Sequence, residues 1–142
     1  MMKYKFDGYN WFAVVKKGEL LVENLLAFAK ENKVKGAWVF AIGACDFAEF
    51  GAFNGKTKNY KFKQHNQQLE IVNIQGNLSW DGQEPIVHLH GTFADENGKT
   101  YGGHVKELRV SVTCEIFIHD WFGSDKIERK PDKSIGLNLL DL

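Results

Sequence analysis

The residues of this chain best suited to chemistry are histidines. His88 and His90 lie two apart in the segment IVHLHGTFA, and His104 follows the pair Gly102 and Gly103. On a strand, residues two apart leave the same face, so both imidazoles of the first pair point one way. Three neutral imidazoles are a zinc-type ligand set, and three protein ligands leave a fourth position for water or an external molecule. A water held there becomes a hydroxide source near neutral pH. The same pair has a plainer reading, as two hydrogen-bonded side chains lining a polar cleft. Whether His104 joins the pair separates the two.

The turn between the two strands decides that. Asn97 and Gly98 are a hairpin signal after the strand that Pro85 opens. A two-residue loop pairs Glu96 with Lys99 and sets His104 opposite Gly91, on the wrong face. A three-residue loop of Glu96, Asn97 and Gly98, closed by a bulge, pairs Asp95 with Lys99 and sets His104 opposite His90, diagonal to His88. Gly98 suits it, because the bulge position needs the left-handed region. A two-residue loop with a bulge at Gly102 or Gly103 sets His104 opposite Thr92 and leaves His88 distant. The spacing permits a three-histidine cluster without compelling one.

The other elements follow from patterning. YNWFAVV (9–15) reads as a first strand, and Glu19 to Asn32 as a helix, with Leu21, Val22, Leu25, Phe28 and Ala29 at helical spacing. GAWVFAIGAC (36–45) is nearly all apolar, as expected of a central strand covered on both faces. FAEFGAF (47–53) and TKNYKFK (57–63) read as two shorter strands joined at Asn54 and Gly55. On the second, Lys61 and Lys63 share the wet face while Tyr60 and Phe62 share the other. Leu69 to Trp80 is a further strand, with Gly76 a bulge or a point of close backbone approach. From Val105 to His119 the even positions Leu108, Val110, Val112, Cys114, Ile116 and Ile118 are apolar while the odd ones include Glu107, Arg109, Ser111, Thr113 and Glu115, a long strand with one wet face; SIGLNLLDL closes the chain as a short strand or helix-like tail.

Cys114 falls on the apolar parity and reads as core. His65 and His119 read as surface or polar-network residues. Glu70, Asp81 and Glu84 stand near the histidines in sequence as candidate partners of metal ligands, although turn chemistry accounts for them equally. No Walker loop, GxGxxG or GxSxG motif is present.

With 142 residues the chain is one domain, 1–142, by size. Eighteen Lys and Arg balance eighteen Asp and Glu, which argues against gripping a phosphate backbone over the whole surface and favours self-association. No apolar run approaches the ~20 residues of a membrane span. Two distant cysteines and no secretory leader point to a reduced, cytoplasmic protein.

GNLSWDGQEPIVHLHGTFADENGKTYGGH (76–104) resembles the signature of the PPC (plant and prokaryote conserved) domain family: G-N-[LI]-S, D-G, [VI]-H-L-H, a turn, then G-G-H. Supporting matches are GELLVENLLAFAKENKVKGAWVFAIGA (18–44), LEIVNIQG (69–76) and ERKPDKSIGLNLLDL (128–142). The resemblance implies an α+β fold, α/β sandwich-like, with a mainly antiparallel β-sheet and one principal helix, assembled as a homotrimer. It also implies that His88, His90 and His104 form a site for zinc or a similar divalent transition metal. The chain departs from the family pattern at Leu108, where a small residue or glycine is usual. Plant relatives carry an AT-hook that holds DNA, and this chain has no R-G-R-P hook.

Three functions fit these residues. The first is a homotrimeric binding or regulatory module whose histidine site holds a metal and a small-molecule ligand. The second is a metal-dependent hydrolase or lyase acting on a small molecule. The third is a DNA-associated protein using Lys56, Lys58, Lys61 and Lys63, and it is the weakest.

Overall fold

The computed structural model describes residues 1–142. β-Branched and aromatic alternation makes β1 (Lys3–Phe6) and β2 (Asn10–Lys16), of which only β2 is announced by the sequence. One helix follows, α1 (Leu21–Glu31), burying Leu21, Leu25, Phe28 and Ala29. Its face is keyed to the first hairpin by an aromatic trio: Tyr4, Trp11 and Phe28 meet edge to face at 5.0–5.4 Å.

The rest is sheet. β3 (Ala37–Asn54) runs unbroken through what reads in sequence as two strands, and β4 (Asn59–His65) folds back on its end through the expected turn at Asn54 and Gly55. Bulges, rather than a break, let β3 bend: its register shifts at Gly43, Cys45 and Phe47 against the long partner β7 (Thr100–Asp120). β5 (Leu69–Asp81) and β6 (Glu84–Ala94) form the next hairpin, and β8 (Glu128–Asp132) and β9 (Leu137–Asp141) close the chain. Every pairing is antiparallel except a single parallel bridge, Trp80 to Glu128.

β3 pairs with β5, β5 with β6, β6 with β7 and β7 again with β3, so the pairing closes into a circuit. Val39, Leu89, Val105 and Phe50 point inward, each at most 5% exposed, and join one core with the helix. The tail is therefore a strand pair. No helix is long and apolar enough to cross a membrane.

Two expectations about burial need correction. β3 is central, but Trp38, Phe40 and Ile42 are 45%, 39% and 56% exposed, so within one chain it is covered on one face only. On β7 the alternation holds for Leu108, Val110, Cys114, Ile116 and Ile118, whereas Val112 is exposed and Ser111 buried. The cause is the bend beside Gly43, where β7 also bonds to the segment before the helix through Gly18, Glu19 and the Leu20–Arg109 bridge. Glu107, on the nominally wet face, is half-buried: its carboxylate accepts from the Val22 and Glu23 N–H groups at 2.8 and 3.1 Å and caps the helix from another element. Burial raises its pKa, against those hydrogen bonds.

Candidate metal centre

The hairpin β6–β7 adopts the three-residue loop. Asp95 N–H donates to the Lys99 carbonyl at 3.0 Å, Gly98 N–H to the Asp95 carbonyl at 2.9 Å, and Gly98 sits at φ +77°. His90 therefore pairs with His104. Gly76 fixes the other side: a Cβ there would lie 1.9 Å from the His88 carbonyl, so only glycine admits the approach of β6 to β5. It is a close approach, not a bulge, since the register slips elsewhere, between Ile71 and Asn73.

The three rings converge, with centroids 5.1 Å apart for His88 and His90, 5.0 Å for His88 and His104, and 5.8 Å for His90 and His104. One nitrogen from each lies within 4.8 Å of the others. Zn–N bonds of 2.0–2.1 Å in a tetrahedron put ligand nitrogens about 3.3 Å apart, so small ring rotations would close the set. His88 and His104 are half-buried and His90 exposed. Tyr60 and Phe62 lie tilted beside His104, with ring centroids at 4.6 and 6.1 Å, forming one wall.

Burial pushes the His88 imidazole down to about 4, and the neighbouring Arg129, His104 and His90 add to it. His104 is lowered for the same first reason, then by His90 and Arg129. Both rings are thus neutral at physiological pH, the form that binds metal. His104 Nδ1 is buried without a hydrogen-bond partner. An orphaned buried nitrogen in a cluster of three imidazoles fits a divalent transition metal.

Arg129 on β8 was not singled out from the sequence, although it stands in the tail that carries the family resemblance. It is 8% exposed and reaches His88 Nδ1 with an N–H at 3.3 Å. An arginine only donates, so in the metal-free chain the Nδ1 lone pair of His88 accepts and the ring proton stands on Nε2. Metal-bound histidines usually donate their second N–H to an acceptor; to ligate a metal, His88 must release Arg129 and offer Nδ1, or move its proton to Nδ1 and offer Nε2.

The other sequence candidates lie apart. Glu84 pairs with Lys30 at 2.6 Å, Asp81 accepts from the Asn138 amide at 2.8 Å, and Glu70 sits opposite Ala94. None touches a histidine of the cluster. His119 bonds Asn10 at the surface, as expected, whereas His65 stacks on Phe50 at 4.5 Å rather than joining a polar network. Cys45 and Cys114 are free, buried core thiols pushed up to about 12 by desolvation. Leu108 is fully buried in the core.

The family model of the Plants and Prokaryotes Conserved domain, abbreviated PCC or PPC, matches residues 2–121. The chain belongs to this family. The PPC fold is shared by solved structures covering essentially the whole chain. A Bacteroides thetaiotaomicron protein, provisionally described as DNA-binding, is 30% identical at TM-score 0.94, over 99% of this chain and 97% of its own. A metal-containing protein of Archaeoglobus fulgidus is 30% identical at TM-score 0.88, over 100% of both chains. A plant- and prokaryote-conserved protein of Pyrococcus horikoshii is 32% identical at TM-score 0.88, over 100% of this chain and 95% of its own. Among curated proteins, a Synechococcus bifunctional protein GlmU is 31% identical over 121 residues; the match covers 84% of this PPC chain but 18% of that protein.

Proposed function

We propose that this PPC protein is a homotrimeric, single-domain binding module whose His88, His90 and His104 hold a zinc-type ion with one position open to a small ligand. The observation that carries the reading is the bulged β6–β7 hairpin, which brings His104 opposite His90 and beside His88. The metal-containing relative supports it. A bound zinc would act as a Lewis acid toward its ligand. This chain's own residues orient the imidazoles and wall the site with Tyr60 and Phe62. No carboxylate touches the rings, so a hydrolase or lyase here would depend on a metal-bound hydroxide alone, and binding is the reading carried forward.

Assembly is supported by the outer face of the sheet. Phe12, Phe117, Phe40, Gln75, His90 and His104 stand in one cross-strand row, and Trp38, Ile42 and Val14 flank it, leaving a broad apolar face uncovered in the single chain. DNA association, suggested by one relative's description, would fall to the exposed lysines around β4, whose Lys61 and Lys63 lie on an edge strand.

Cobalt(II) titration of chelator-stripped protein tests the metal reading. We expect intense visible bands of a four-coordinate ion, saturating at about one equivalent, and no such bands in His104→Ala. The same uptake in both proteins would refute it.

A further inference from the structure

Arg129 is a buried cation without a counter-charge. Its donors go to Ser79 Oγ at 2.8 Å, Asn77 Oδ1 at 2.9 Å, the Asn138 carbonyl at 3.0 Å and His88 Nδ1 at 3.3 Å, all neutral acceptors. It takes part in none of the ion pairs of the molecule. The nearest acid along this network, Asp81, is engaged by Asn138 instead. Buried cations are normally paired, because desolvating a lone charge is expensive. A divalent metal on three neutral histidines would add two positive charges beside this one, with no negative group to offset them.

From this charge balance we propose that the ligand of the site is a small carboxylate, its anionic head set against Arg129 and the metal position. The inference rests on the metal reading above. The adjoining space agrees in size, and Arg129 stands behind its wall, reached through its partners Asn77 and His88. A cavity of about 200 Å³, below the ≈ 300–1,000 Å³ of sites for drug-sized molecules, adjoins His88 and His90. Asn77 and Gln75 offer it amides and Trp38 an apolar wall, and Asn77 and His88 are themselves partners of Arg129. A short organic acid fits this mixture better than a bare phosphate, which has nothing to set against the indole.

The test titrates cobalt-loaded protein with acetate, with its uncharged counterpart acetamide and with inorganic phosphate, reading the visible spectrum and the melting temperature. Acetate should shift both in the wild type, acetamide neither, and Arg129→Gln should weaken acetate binding by about tenfold or more, compared at saturating cobalt in both proteins. Equal responses to acetate and acetamide, equal acetate affinity in the wild type and R129Q, or phosphate binding in preference to acetate would each overturn the proposal. Should R129Q not fold, the acetate–acetamide contrast in the wild type decides alone. Should the wild type take up no cobalt, the metal reading fails separately. The melting shift of metal-free protein with acetate, present in the wild type and absent in R129Q, then decides whether Arg129 receives the anion.

Discussion

His88 is the residue on which the chemistry turns, because burial and Arg129 both act against its protonation. In the unfolded chain a histidine titrates near 6.5, whereas folded His88 does so at about 4. As pH falls through that window the unfolded state takes up a proton that the folded state refuses. Stability of the metal-free protein therefore declines from about pH 6.5 toward pH 4, by on the order of 3 kcal/mol from His88. His104 adds in the same direction. Urea unfolding at pH 7.5 and pH 4.5 checks this: His88→Asn should flatten the dependence, and an unchanged slope in the variant would show that His88 is not its source.

At this scale the histidines were legible in the sequence and Arg129 was not. Two histidines in alternate positions and a third across a short turn can be placed by strand periodicity. Arg129 lies in a polar tail, and its role depends on β8 docking beside β5, a pairing of residues far apart in the chain that no local pattern encodes.

Among the elements, the β6–β7 hairpin carries the site. Gly98 occupies the left-handed region, so Gly98→Ala should cost about 1 kcal/mol, read by chemical denaturation. Deleting Asn97 shortens the loop to two residues yet keeps Asp95 paired with Lys99, so His104 stays opposite His90. We expect a still-cooperative melt with metal binding retained; loss of binding in a folded variant would show that the bulge itself, and not the register alone, sets the site. The helix depends on an equally remote partner. Glu107→Ala removes the acceptor for two N–H groups of its first turn and should cost about 1–2 kcal/mol, with Glu107→Gln losing less. Strand and helix positions followed from periodicity, since 3.6 and 2.0 residue repeats are local. The extra strand β1 and the continuity of β3 did not, because β1 is held by pairing with β2 and β3 by bulges against β7.

For the whole molecule, the exposed outer face carrying Phe12 and Phe40, with Trp38 beside them, explains why β3 reads as a strand covered on both faces: its second cover is proposed to be other copies of the chain. Sedimentation equilibrium should give three times the 16.2 kDa chain mass, and Trp38→Asp with Phe40→Asp should return a folded monomer. A monomeric wild type would contradict the assembly. Because the cross-strand row of Phe12 and Phe40 ends at His90 and His104, assembly would border the metal centre and could shape access to it.

The central claim is that His88, His90 and His104 hold a metal. Elemental analysis of purified, dialysed protein tests it most directly. The account predicts about one zinc-type ion per chain in the wild type and almost none in His104→Ala of unchanged fold. Equal metal content in the two, or none in a wild type supplied with zinc, would contradict it.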